Sequence, residues 1–184
     1  MPTARGRWRP HVHPACPKAL HGWLTLESSL TAQLRAHGSP FRVQRLKQRN
    51  EPCLADEAAA IGQHHRFARV REVLLHCGGK PVVFAHTVVP LASMADWPTF
   101  GALGERSLGE LLFGDRQVAR GRSQFARLDG RHPLVRRLRA ALPAERIESR
   151  LHARRRLFQR KNGLMLVTEV FLPGIINLQK LTEQ

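Results

Sequence analysis

Tyrosine is absent from this 184-residue chain, and aromatic residues of every kind make up only 6% of it. That scarcity argues against the stacking platforms that hold single-stranded nucleic acid. Carboxylates are scarce too: 14 Asp and Glu stand against 30 Lys and Arg, for a formal charge of +16. Such an imbalance favours anionic partners (nucleic acid, an acidic membrane surface or a small anionic substrate) without choosing among them. No apolar run approaches the ~20 residues of a membrane span. The opening "MPTARGRWRPHVHPACPK" has arginines but no apolar core, so it is not read as a secretory signal, and a cytoplasmic location is expected. Cysteine is limited to Cys16, Cys53 and Cys77. An odd, scattered set suits free thiols in a reducing compartment, not a disulfide framework. There is no GxSxG elbow, no phosphate loop and no HExxH or paired CxxC, so neither a nucleotide cofactor nor a familiar nucleophile is implied. His11, His13, Cys16 and His21 lie close together in sequence but match no ligand spacing, and no metal is expected.

What is present is a set of well-defined apolar runs: hydrophobic residues are 42% of the chain, enough for one domain with a core. Residues 1–20, rich in Pro, His and Arg and without periodicity, are expected to form a flexible N-terminal arm, and residues 21–184 a single domain. In "GWLTLESSLTAQLRAHGSP", Trp23, Leu26, Leu30 and Leu34 fall on one helical stripe, which Gly38 and Pro40 stop. "FRVQRLKQR" alternates as a strand does. "HRFARVREVLLHCGGKPVVFAHTVVPL" predicts two strands joined at Gly78-Gly79, and "SRLHARRRLFQRKNGLMLVTEVFLP" a second hairpin turning at Asn162-Gly163. "RQVARGRSQFARL" supplies another strand, and short helices are predicted around Leu108, Leu111 and Leu112 and around Leu134, Leu138 and Leu142. The class is α+β: a single antiparallel β-sheet of about six strands with helices packed on one side.

Two charges stand out against this pattern. Glu169 shares its strand face with Met165, Val167 and Phe171, and Arg71 shares its face with Val73, Leu75 and Cys77. Opposite charges on inward faces of one sheet satisfy each other as a structural ion pair or bracket a polar ligand, unless an edge strand lets one of them reach solvent. The basic residues between Arg136 and Lys161 would suit a phosphate backbone. With no helix-turn-helix and few aromatics, they are read instead as a solvated face of a hairpin.

Four segments in order, "WLTLESSLT", "VREVLLHCGGKPVVFAHTVVP", "SLGELLF" and "ARRRLF…GLMLVTEVFLP", resemble the chorismate pyruvate-lyase family over about Trp23 to Pro173. The resemblance implies a monomeric antiparallel sheet enclosing an internal ligand pocket. It implies removal of the enolpyruvyl group of chorismate as pyruvate to give 4-hydroxybenzoate for ubiquinone biosynthesis, with no metal or organic cofactor. Residue by residue, Arg71 falls where the family grips the ring carboxylate, a task suited to a bidentate guanidinium. Glu169 falls where the family meets the ring oxygen at the opposite end, and an apolar wall would favour its neutral form. Leu30 and Leu108 fall where the family binds ligand through main-chain groups. The chain departs from the family's best-known member at Leu30 (methionine there), at His86 (arginine there) and at Arg156 (serine there), and the resemblance brings Arg154 and Arg155 near the pocket. Two other classes remain open at this point: a ligand-sensing domain of the kind transcription regulators carry, and a basic nucleic-acid-binding protein. A regulator would be expected to add a helix-turn-helix segment, for which the first 22 residues are too short.

Overall fold

The alternating runs fold as seven strands of one antiparallel sheet in the computed structural model, which describes residues 6–62 and 64–181, with backbone only for 179–181. The first five residues of the expected arm and the last three of the expected domain lie outside the described residues. The strands are β1 (Phe41–Pro52), β2 (Phe67–Cys77), β3 (Lys80–Pro90), β4 (Val118–Arg120), β5 (Gln124–Asp129), β6 (Arg150–Arg160) and β7 (Gly163–Phe171). Their spatial order is β1-β2-β3-β7-β6, and β4 and β5 pair one after the other with β6. The count exceeds the expected six because "RQVARGRSQFARL" is two strands. At Gly121 the main chain approaches β6 so closely that a Cβ would stand 2.9 Å from the Leu157 carbonyl.

Both hairpins form. Gly78 and Gly79, with φ of 58° and 78°, make the β2–β3 turn, as a two-residue loop with two positive φ angles requires. The β6–β7 turn lies one residue earlier than predicted, at Lys161-Asn162, with Arg160 opposite Gly163. Lys161 takes the positive φ of 52°. Gly163 opens β7 because the 3-10 turn Leu91–Asp96 crosses there: a Cβ would lie 2.6 Å from Asp96 Cβ.

Helices cover both faces of the sheet, not one. On the first face lie α1 (Lys18–Leu24), α2 (Leu30–His37) and α4 (Leu108–Gly114); Leu24, Leu34 and Leu112 pack there with Val73, Val83, Phe171 and Val167. On the second lie α3 (Ala55–Ile61) and α5 (Pro133–Ala141), whose Leu134, Val135 and Leu138 meet Leu74, Phe84 and Val170. A strand buried on both sides carries an unbroken apolar run, which is why "VLL" and "PVVF" do not alternate. The single stripe predicted from Trp23 to Leu34 is broken between α1 and α2, where Ser29 caps α2 by accepting from Ala32 N at 3.3 Å. Residues of the arm lie against the sheet. Arg9 exchanges main-chain bonds of 2.8 and 2.7 Å with Phe125, and Trp8 Nε1 donates to Asp56 at 2.9 Å. No helix among the described residues is long and apolar enough to cross a membrane.

The second face also buries charge. His86, 1% exposed, lies between Glu57 (2.7 Å) and Glu72 (3.0 Å), and Arg137 reaches Glu72 at 2.7 Å. Burial alone would lower the His86 pKa; the two carboxylates outweigh it and raise it to about 9. His86 therefore points away from Thr87's face and braces the sheet under α3. A histidine whose folded pKa is raised contributes stability that is complete below its unfolded value and is lost as pH rises through the folded one. The difference in Tm between wild type and His86→Gln should be largest near about pH 6 and shrink steadily from there as pH rises to about 9. A difference constant across that range would remove the charge from this account.

Candidate active site

The first face of the sheet holds a pocket enclosing about 680 Å³ of empty space, part of it open to solvent. Its floor is two cross-strand rows. Register aligns Arg71, Thr87, Val167 and Arg156 across β2, β3, β7 and β6, and beside them Val73, Ala85, Glu169 and Arg154. Period-two alternation turns all eight side chains to this face, and all eight line the pocket. Leu30 and Leu108 close it from above, each as the first residue of its helix, where main-chain N–H groups have no partner inside the helix.

Arg71 and Glu169 thus share one cavity and do not touch. Strand spacing puts their backbones two strands and one two-residue step apart, about 12 Å. Arg71 is 2% exposed, and its Nη2 donates to the carbonyls of Gly104 and Arg106 at 3.0 Å each, which ties down the loop ahead of α4. Its Nε has no hydrogen-bond partner among the described residues. Burial, with Arg45 as a like charge, brings the guanidinium down to about 10, so it stays charged at neutral pH.

Glu169 has a partner that alternation on one strand did not reveal: Arg154, directly opposite on β6, donates its Nε to the Glu169 carboxylate. The guanidinium supplies the counter-charge that the apolar wall does not. Nη1 of Arg154 turns to the end of α1 and donates to the carbonyls of Trp23 (3.3 Å), Leu24 (3.4 Å) and Leu26 (2.7 Å). The first two are carbonyls of the last turn, which a helix C-terminus leaves unbonded, and Leu26 lies just beyond it. The arginines expected to form a solvated face are buried here: Arg154, Arg155 and Arg156 are 7%, 8% and 8% exposed. Arg155 faces the opposite side, where Nη1 donates to the Asp56 carbonyl at 3.0 Å and the guanidinium lies 4.5 Å from the Trp8 ring. Arg156 faces the pocket and reaches Glu27 at 2.6 Å. His86 faces away, so it cannot assist a ligand here. Among the described residues no group of three or more His, Cys, Asp or Glu is placed to hold a metal, and the three cysteines are free. The site can hold a flat anion with a carboxylate at β2 and a hydrogen-bonding oxygen at β7, between Val73, Ala85 and Val167.

Comparison with known proteins bears on this geometry. A family model described as chorismate lyase matches residues 4–180. A probable chorismate pyruvate-lyase of Cupriavidus metallidurans is 45% identical over 180 residues, covering 96% of this chain and 84% of that protein. One from Ralstonia nicotianae is 46% identical over 181 residues, covering 95% and 93%. Among solved structures, PhnF from Mycobacterium smegmatis aligns with a TM-score of 0.53 at 15% identity, covering 81% of this chain and 65% of that one. The effector domain of PhnF aligns at 0.50, also 15% identical, covering 80% and 90%. At that identity the likeness is one of fold.

Truncating Arg154 leaves one partly buried carboxylate and three carbonyls without this donor. Arg154→Met should cost about 3–5 kcal/mol in urea unfolding, and adding Glu169→Gln should restore part of that loss. Simple additivity of the two substitutions would deny the pair.

Proposed function

Because the chain belongs to the chorismate lyase family, we propose that its pocket binds chorismate and releases the enolpyruvyl group as pyruvate, leaving 4-hydroxybenzoate. The product is the aromatic precursor of ubiquinone, and the reaction is the first committed step of that synthesis. The observation that carries the reading is that Arg71 and Glu169 line one apolar pocket from β2 and β7 without touching. A ring with a carboxylate at one end and a hydroxyl at the other fits between them.

The chemistry asks little covalent work of the protein. The ether C–O bond breaks, the ring carbon bearing the hydroxyl gives up its hydrogen, and the released enolpyruvate takes up one hydrogen to become pyruvate. Aromatisation drives the step, so the site's task is to hold one conformer and to stabilise charge on the departing oxygen. Arg71 anchors the ring carboxylate, with Nε free for a second hydrogen bond beside the carbonyl-bound Nη2. Glu169 accepts from the ring hydroxyl while Arg154 holds it in place. Main-chain N–H groups at the starts of α2 and α4, beside Leu30 and Leu108, complete the polar contacts. An enclosed, well-fitting site also retains an aromatic product, so release is expected to be slow. The same reading takes the protein as a cytoplasmic monomer that needs no metal or organic cofactor. A ligand-sensing domain is the alternative that the fold permits, but 15% identity to PhnF, a likeness of fold, carries less than 45–46% identity to two probable chorismate pyruvate-lyases.

Purified protein mixed with chorismate should yield 4-hydroxybenzoate, followed by its absorbance, and equimolar pyruvate. A folded protein that yields neither would leave only the binding role. Arg71→Ala should weaken 4-hydroxybenzoate binding by about 2–5 kcal/mol, the cost of removing one partner of a buried charge contact. Glu169→Gln should lower kcat more than it raises KM.

A further inference from the structure

We propose that Arg156 receives the second carboxylate of the substrate, the one on the enolpyruvyl group, and so distinguishes the dianionic substrate from its aromatic product. The assignment rests on the lyase reading of the pocket and adds a residue to it. The charge content of the lining is the starting point. The lining has three arginines, Arg71, Arg154 and Arg156, and one carboxylate, Glu169. Arg154 and Glu169 neutralise each other and are further held by α1. Two positive charges remain for two carboxylates.

Position assigns them. Arg71 and Arg156 stand at opposite ends of one cross-strand row, with Thr87 and Val167 between them. Three strand spacings separate their backbones by about 14 Å, and both side chains project over the same floor. With the ring carboxylate on Arg71 and the ring hydroxyl at Glu169, the ring spans from β2 to β7. The ether oxygen is on the carbon next to the one bearing the hydroxyl, so the enolpyruvyl group leaves the ring at its far end from Arg71. That end faces β6. Of the two pocket arginines on β6, Arg154 has its Nε committed to Glu169 and its Nη1 to three carbonyls at the end of α1.

Arg156 is committed differently. It is held in direction by Ser123, whose hydroxyl accepts from Nε at 3.1 Å and from Nη2 at 2.6 Å. Its only carboxylate partner among the described residues is Glu27, at 2.6 Å, on the link between α1 and α2. The arginine side chain is 9% exposed and the glutamate 77%. A carboxylate so exposed regains full hydration when it lets go, whereas the buried guanidinium needs a replacement anion. Glu27 therefore serves as a placeholder at the rim. An entering substrate carboxylate takes its place on Arg156, and an arriving monoanion such as 4-hydroxybenzoate has no second carboxylate with which to do so.

The test separates substrate from product. In Arg156→Ser, KM for chorismate should rise about 30-fold or more while Ki for 4-hydroxybenzoate stays within about twofold of wild type. Arg156→Lys, which keeps the charge but not the fork, should fall between, and it carries the test if the serine variant does not fold. Glu27→Gln should leave Ki for 4-hydroxybenzoate unchanged and lower KM for chorismate. An unchanged KM in both Arg156 variants overturns the assignment, and so does a parallel rise in KM and Ki, which is what general damage to the pocket would give. A wild-type protein that makes neither product from chorismate overturns the lyase reading, and the assignment with it.

Discussion

The pairing of Arg154 with Glu169 across β6 and β7 is the contact on which the rest of the site depends. It places a carboxylate in an apolar floor without leaving it bare, and it does so with an arginine that has donors to spare. Those donors end α1. Because the carbonyls of Trp23, Leu24 and Leu26 have a guanidinium to bond, the chain can leave the helix there, turn, and restart at Ser29. The restart sets Leu30 at the head of α2 over the pocket and brings Glu27 within reach of Arg156. One ion pair thus supports the floor, shapes the roof and, by cancelling its own charge, leaves the pocket two cations in excess.

A sheet covered on both faces makes this arrangement possible and gives it a second layer. Alternation on β3 sends Thr87 to the pocket and His86 to the other side; on β6 it sends Arg154 and Arg156 to the pocket and Arg155 away. The away-facing charges find their partners under α3 and α5, where Glu57 and Glu72 hold His86 charged and Asp56 meets His132 at 3.3 Å. Burial would push the Asp56 carboxyl up, but His132 and Trp8, aided by Arg155, hold it down to about 2. His86, one of the chain's departures from the family's best-known member, belongs to this structural layer. The basic composition therefore has an internal component: several arginines are consumed inside the fold by carboxylates and by carbonyl groups.

Much of this was legible in the chain. Gly78-Gly79 located one turn, alternation put Arg71 and Glu169 on inward faces, and the resemblance separated them by the width of a ring. Arg154 was not legible as the partner of Glu169, and the reason is the second turn. A loop at Asn162-Gly163 would pair Lys161 with Leu164 and set Arg156 opposite Glu169. The loop at Lys161-Asn162 pairs Arg160 with Gly163 and sets Arg154 there. A one-residue displacement of the loop moves the cross-strand partner by two residues. What displaces it is tertiary: Asp96 and Ser93 crowd the start of β7, only glycine fits beneath them, and Leu164 N bonds Ser93 Oγ at 3.0 Å. Local turn preference had no access to a contact some seventy residues away in sequence. The break between α1 and α2 was hidden for a similar reason, since the stripe from Trp23 to Leu34 is continuous and the carbonyl acceptor's partner lies on β6.

On the proposed reading, cleavage itself loosens the grip of the pocket. In chorismate the two carboxylates are joined, and an anion held at both Arg71 and Arg156 gains from each contact while losing its freedom of motion once. Breaking the ether bond puts one carboxylate on pyruvate and leaves the other on 4-hydroxybenzoate, so each fragment is held from one end only. Pyruvate, beside the rim where Glu27 is 77% exposed, meets a competing carboxylate tethered to the protein and faces water. 4-Hydroxybenzoate, enclosed between Val73, Ala85 and Val167 with Arg71 at one end and Glu169 at the other, keeps all of its contacts. The order of departure follows: pyruvate first, the aromatic acid second and slowly. The charge placed to capture the substrate is then reclaimed by Glu27 before the ring has left.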